Sequence, residues 1–302
     1  MIAPAYSTLL EFFINVYAPR RLLGGSALTR AQYAVVVRHF SRYLRRPAQV
    51  SDLDEDRLSE FLAWFADGRQ AATVWGARKN LMALATYAHK KGMLLEVPDI
   101  PFIRPPNRIP QAYSVAEITK LLAAGRDVPG EISGVPSRFF FCALFLCAYD
   151  TGGRATALMA LEWTDYAPAV PSLLFRAETQ KQRADQLLRI SPEAADALET
   201  IRQPARTRIF GGLCCRRSLY YRLHSIFQSA GLPDGRRDLL QRIRRTTATL
   251  MHNRGADATR QCGHSSDAIT RRYYLDSSDS LQAVDVLPRP VLPIPDSQRR
   301  LF

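Results

Sequence analysis

Between Pro98 and Pro110 the chain places five prolines in thirteen residues, Pro98, Pro101, Pro105, Pro106 and Pro110. Each proline fixes its own φ and lacks an N–H, so neither a helix nor a central strand can run through the segment. A chain broken in this way has to build a separate core on each side of the break. With 302 residues, 47% of them hydrophobic, there is enough material for two domains of ordinary size. The expected organisation is a domain over residues 1–97, an extended, semi-rigid linker over 98–113, a second domain over 114–287 and a tail over 288–302. In that last region Pro288, Pro290, Pro293 and Pro295 confine any helix to about residues 277–286.

The first domain reads as all-α. Apolar residues recur at helical spacing, first as Leu9, Phe12 and Phe13, then as Tyr33, Val37, Phe40 and Leu44. Leu58, Phe61, Leu62 and Phe65 mark a third helix opened by Asp54. Val74, Ala77, Leu81, Leu84 and Ala88 mark a fourth, closed by Gly92. The second domain opens with the capping box Ser114-Val115-Ala116-Glu117 and is mostly helical. Its longest apolar run, Phe139 to Tyr149, falls far short of the roughly 20 residues needed to span a bilayer and reads as a buried core helix. Leu174 to Ile190 reads as strand, polar turn and strand, and Asp257 is placed to cap a short helix. The fold class expected is mainly α with one small β-hairpin.

The charge balance suits an anionic partner. There are 41 Lys+Arg against 28 Asp+Glu, a net charge of +13, and residues 1–110 carry 15 and 9 of these, so both halves of the chain are basic. A basic surface kept for solubility would give the same totals. On the fourth helix Arg78, Lys79, Lys90 and Lys91 avoid the apolar face, with Trp75 and Tyr87 among them. Arg104 and Arg108 stand between the linker prolines. These six are the candidate contacts to such an anionic partner, the alternative being a solvated helix face. The five cysteines show no CxxC pair and no Cys/His spacing suited to zinc, so no metal or disulfide framework is expected and a reducing cytosol is the simplest home. The first residues lack a basic stretch ahead of their apolar run, and Glu11 interrupts it, so no secretory leader is expected.

Chemistry-bearing residues concentrate in two boxes. The first is Tyr149-Asp150-Thr151-Gly152-Gly153-Arg154, continuing to Trp163. The second runs from Gln241 to Tyr273 and holds Arg244, Gly263-His264-Ser265 and, nine positions after His264, Tyr273. Between them Lys181 is the one lysine on the strand–turn–strand segment. Four matches in this order over about 120 residues closely resemble the active site of the tyrosine recombinases, the phage-integrase family. The resemblance implies an N-terminal helical core-binding domain that clamps DNA and an α-rich catalytic domain.

It also implies an activity: site-specific cutting and rejoining of double-stranded DNA through a 3′-phosphotyrosyl intermediate, without metal, cofactor or ATP. Arg154 and Arg244 would clamp the scissile phosphate, because guanidinium is permanently charged and its planar fork matches phosphate oxygens. Tyr273 would be the nucleophile, with Tyr274 as its rival. Lys181 would protonate the departing 5′-oxygen, and His264 would hold the phosphate or move a proton. By the same resemblance the protein would assemble as a tetramer on paired DNA sites, associated with the nucleoid of the cytoplasm. Three positions depart from the family pattern. Gln241 stands where the family usually has histidine and cannot carry a proton at neutral pH. Ala157 replaces an acidic residue, and Gly153 a larger aliphatic one. These departures leave an alternative, a catalytically impaired recombinase derivative that only binds DNA.

Overall fold

The computed structural model describes residues 8–211, 216–235 and 238–276. The helix expected within residues 277–286 lies outside them. Two compact units are present, residues 1–107 and 108–302.

The first unit is a helical cluster. Helix α1 (Leu9–Phe12) passes through a π-helical turn at Phe13–Tyr17 into α2 (Ala18–Arg21), followed by α3 (Ala27–Tyr43), α4 (Glu55–Ala66) and α5 (Ala71–Lys90). The π turn has a local cause: Pro19 has no N–H to return to the turn before it, and the wider turn keeps its ring clear of the backbone there. Side chains of Thr8, Ser26 and Asp54 each accept a backbone N–H at the start of a helix, and Gly92, at φ +70°, ends α5 in the left-handed conformation. Leu9, Phe12, Phe40, Phe61 and Leu81 are wholly buried in one core. Ile100 belongs to the same core, and Arg78 donates from Nε and Nη2 to the Pro101 and Ile100 carbonyls at 2.8 and 2.9 Å. The first part of the proline-rich segment is thereby held against α5.

The second unit runs α6 (Val115–Arg126), β1 (Glu131–Ile132), β2 (Val135–Pro136), α7 (Ser137–Thr151), α8 (Ala155–Leu158), β3 (Tyr166–Ala167), β4 (Ser172–Phe175), β5 (Gln186–Arg189), α9 (Pro192–Thr200), α10 (Arg216–Ser229), α11 (Leu240–Asn253), α12 (Ala258–Gln261) and α13 (Asp267–Tyr273). Strands β3, β4 and β5 form an antiparallel sheet in chain order, with Leu173 opposite Leu188 and Leu174 opposite Leu187. Helix α7 is apolar all round and lies at the centre, packed by α6, α9 and α11, with Phe140, Phe141 and Leu144 fully buried. It is the helix expected from the Phe139–Tyr149 run.

Helix α11 is unusual in being both polar and buried. Residues 242–249 are all buried, and most of their polar groups find partners inside the unit. Thr246 Oγ1 accepts from the Tyr113 N–H at 2.7 Å, and Thr247 Oγ1 donates to the Tyr149 carbonyl at 2.6 Å. Arg242 donates to the Ala112 carbonyl and stacks over the Tyr113 ring at 4.4 Å, while Arg245 Nη1 donates to the Gln111 carbonyl. Residues 111–113 are thus bound to α11 before the Ser114 capping box starts α6. That box is complete, with Ser114 Oγ accepting from the Glu117 N–H and Glu117 accepting from the Ser114 N–H. Replacement of Ser114 by alanine is expected to cost about 1 kcal/mol, read as a lower urea midpoint with an unchanged slope.

Candidate active site

Arg154, Lys181, Gln241, His264, Tyr273 and Tyr274 line one open cleft of about 1340 Å³ in the second unit. Helix ends and a turn converge to make it. Arg154 follows the C-terminus of α7 and starts α8, Gln241 and Arg244 lie on the first turns of α11, and His264 stands between α12 and α13. Lys181 is on the exposed turn between β4 and β5, and the two tyrosines close α13.

Beneath the cleft lies Arg244, 2% exposed. Among the described residues no carboxylate pairs with it. Its Nη1 donates to the Gly152 carbonyl at 2.6 Å, and its Nη2 donates to the Cys262 carbonyl and approaches His264 Nε2 at 2.8 Å. Its Nε is buried without a hydrogen-bond partner. Burial, and then Arg154, lowers its pKa, yet a guanidinium starts so high that it stays charged. A buried cation with an orphaned donor and no counter-ion is costly unless an anion completes it. Gly152 makes this seat possible. It ends α7 at φ +61°, and a Cβ there would meet Cys262 Sγ at 3.1 Å.

His264 is assigned by its neighbours. Arg244 can only donate, so His264 Nε2 accepts, and Nδ1 therefore carries the proton and donates to Thr270 Oγ1 at 2.8 Å. Burial, then Arg244 and Arg154, push the imidazole down from 6.5 to about 3. His264 is therefore a neutral prop for Arg244 rather than a free donor. The unfolded chain takes up this proton near pH 6.5 and the folded chain not until about 3, so His264 favours the native state fully above 6.5, and that contribution fades as pH falls toward 3. His264→Gln is expected to lose less thermal stability than wild type between about pH 7 and about pH 5, measured by melting temperature across a buffer series.

The tyrosines part company. Tyr273 is 54% exposed at the rim, with the Arg272 guanidinium 5.2 Å from its ring. Tyr274 turns inward, its ring centroid 3.9 Å from that of His264 and 5.1 Å from Arg244 Cζ. Burial alone would raise the Tyr274 phenol, but Arg244, a hydrogen bond with Gln241, and Arg154 outweigh it and lower its pKa. Gln241 is thus engaged with Tyr274. Sequence spacing marked Tyr273 and gave no sign of this inward turn, nor of Thr270 as the orienter of His264.

The two remaining departures from the family pattern have a packing reason. A Cβ on Gly153 would stand 3.1 Å from both Leu158 and Phe175, and Ala157 is sealed in the apolar core where a carboxylate would be unpaired. Among the described residues the Arg154 guanidinium has neither a hydrogen bond nor an ion pair, so its donors remain available to a ligand in the cleft. The turn bearing Lys181 is anchored at its base, where Gln186 Nε2 donates to the Arg260 and Gln261 carbonyls at 2.6 and 2.8 Å. Gly263, at φ +55°, leaves room for this, since a Cβ would lie 2.9 Å from Gln186 Oε1 and 3.2 Å from Gln182 Oε1. Gly263→Ala is expected to free the turn, seen as faster tryptic cleavage after Lys181 and Arg183 at unchanged secondary structure.

In the first unit Lys79 sits over the Trp75 ring at 5.3 Å and Lys91 over Tyr87 at 5.6 Å, while Lys90 and Arg104 are exposed. Arg78 differs, since its guanidinium already serves the Ile100 and Pro101 carbonyls. Arg108 belongs to the second unit and lines the cleft. Among the described residues no group of His, Cys, Asp and Glu is arranged to hold a metal, Cys142, Cys147 and Cys262 are free, and no helix is long and apolar enough to cross a membrane.

The helical unit and the α-rich unit carrying this cleft have the fold of the tyrosine recombinases. A lambda integrase dimer bound to a COC′ core site matches with a TM-score of 0.70 at 16% identity, covering 95% of this chain and 81% of that one. The XerH site-specific recombinase in its pre-cleavage complex with difH matches at 0.67 and 18% identity, over 91% of this chain and 84% of that one. The Tn1549 transposon integrase with circular intermediate DNA matches at 0.65 and 14% identity, over 88% and 95%. At these identities the likeness is one of fold. No family model matches the chain, and no curated protein matches it in sequence.

Proposed function

We propose that this protein is a site-specific DNA recombinase that cuts and rejoins duplex DNA through a 3′-phosphotyrosyl intermediate. The observation that carries this reading is the buried guanidinium of Arg244, paired with no carboxylate among the described residues, beneath a cleft that also holds Arg154 and Lys181. Such a site is built for a phosphoryl group: fixed donors await the negative charge that grows as the phosphodiester breaks. In this reading Tyr273 attacks phosphorus, its proton leaving to solvent at the cleft rim, as the bond to the 5′-oxygen breaks and Lys181 supplies that oxygen with a proton. The phosphotyrosyl bond keeps the energy of the broken link, so rejoining needs no ATP.

The first unit would clamp the duplex through Lys79, Lys90, Lys91 and Arg104, with residues 98–113 as the joint between clamp and catalytic domain. A lambda integrase tetramer bound to a Holliday junction matches with a TM-score of 0.70 at 16% identity, over 89% of this chain and 78% of that one. A tetramer on two paired sites, in the nucleoid, is the assembly we propose by analogy. Gln241 favours a second reading, a DNA-binding derivative with little catalysis, because an amide there cannot shuttle a proton.

The test is a denaturing gel of protein incubated with nicked duplex pools drawn from DNA flanking its gene. A denaturation-resistant adduct is expected. Arg154→Ala and Arg244→Ala should each reduce it by about 10²–10³-fold and Lys181→Ala by about 10²–10⁴-fold. Tight but salt-sensitive duplex binding with no adduct from any pool would leave the second reading, and binding indifferent to salt would remove both.

A further inference from the structure

We infer that Tyr274 is an internal gate: in the DNA-free chain its side chain occupies the seat of the scissile phosphate, and DNA must displace it to bring Tyr273 to the reacting centre. The inference rests on the recombinase reading. Its first support is position. A nucleophile has to face phosphorus from the side opposite the leaving oxygen, whereas Tyr274 lies among the groups that would hold the phosphate itself, against the His264 ring and Arg244 and bonded to Gln241. The depressed phenol pKa agrees, since the site treats this oxygen as it would an anion.

The second support is that the inward pose is tethered. Thr249 Oγ1 donates to the Tyr274 carbonyl at 3.3 Å and accepts from the Asp276 N–H at 3.0 Å, while Asp276 Oδ2 accepts from the Ala112 N–H at 2.7 Å. Tyr274 and Leu275 also pack on the small cluster of Ala248, Ala258 and Cys262. The third support is geometric. Neighbouring residues at a helix end point about 100° apart, so Tyr273 and Tyr274 cannot enter the cradle together. Bringing in the exposed Tyr273 means rotating the end of α13, which pulls Tyr274 out and strains the tether. Because that tether ends on Ala112, in the segment joined to the proline-rich stretch, the gate is connected to the stretch that leads to the first unit.

The experiment follows adduct formation with the same nicked duplex pools for wild type, Tyr274→Ala, Asp276→Ala, Tyr273→Phe and Tyr274→Phe, together with nitration of each tyrosine by tetranitromethane, read by peptide mass spectrometry. Tyr274→Ala and Asp276→Ala, which removes the oxygen that accepts from the Ala112 N–H, are expected to form adduct about fivefold faster than wild type, the factor for one net hydrogen bond, and Tyr273→Phe to form none. Asp276→Ala retains the aromatic packing and carries the kinetic test if Tyr274→Ala does not fold. In the free wild-type chain Tyr274 should resist nitration while Tyr273 reacts, and duplex should reverse the order. An adduct kept by Tyr273→Phe and lost in Tyr274→Phe would overturn the gate by making Tyr274 the nucleophile. Rates no faster than wild type in both Tyr274→Ala and Asp276→Ala would also overturn it. If even wild type forms no adduct the recombinase reading fails, and the nitration pattern still decides the gate: equal reactivity of the two tyrosines in the free chain refutes it.

Discussion

A positive charge buried with no carboxylate partner among the described residues organises the second unit. Arg244 is held by carbonyl dipoles rather than by a carboxylate, and those carbonyls come from the end of α7 and the end of α12. A carboxylate would stabilise the cation more and would also neutralise it, leaving nothing for a phosphate to bind. Carbonyl oxygens reduce the burial cost while keeping the field. Several local choices follow. Gly152 takes a left-handed conformation so that its carbonyl meets the guanidinium. His264 is forced neutral so that its lone pair meets Arg244, and Thr270 fixes the ring by accepting a hydrogen bond from its other nitrogen.

The same helix that presents Arg244 handles the rest of its polar surface differently. Arg242 and Arg245, two residues before and one after, are close to it in sequence but serve the backbone of residues 111 and 112. Thr246 completes that attachment through Tyr113. Helix α11 therefore faces the cleft on one side and grips the start of the unit on another, and Asp276 brings the end of the tyrosine segment to the same place. The cleft, the tyrosine segment and the incoming chain share one buried helix.

Much of the fold was legible because it depends on short-range rules. Five prolines in a row of thirteen residues exclude regular structure whatever surrounds them, and the Phe139–Tyr149 run is too apolar to be anything but an interior helix in a chain this size. Capping at Ser114 and Asp257 follows from side-chain oxygens placed before a helical pattern. The hairpin of β4 and β5 showed itself as a strand, a polar turn and a second strand over Leu174 to Ile190. Less visible was the first half of the proline-rich segment, where Ile100 enters the first core and Arg78 binds the carbonyls beside it. An arginine on a polar helix face looks the same whether it awaits a phosphate or already holds its own backbone.

At the site the sequence by itself determined which chemical groups are present and in what order: two arginines, a lysine on a turn, a histidine after glycine, and paired tyrosines nine and ten positions on. It also determined that Gln241 cannot carry a proton, since that is a property of the amide. Only the tertiary structure decided what each group does. It made Arg244 a buried, unneutralised cation, set His264 to accept rather than donate, and turned Tyr274 into the cradle while leaving Tyr273 at the rim. The reason is that pKa, hydrogen-bond role and direction depend on neighbours distant in sequence, Gly152 and Cys262 for Arg244, Thr249 and Ala112 for the tyrosine segment. No spacing within a motif records where those neighbours will lie.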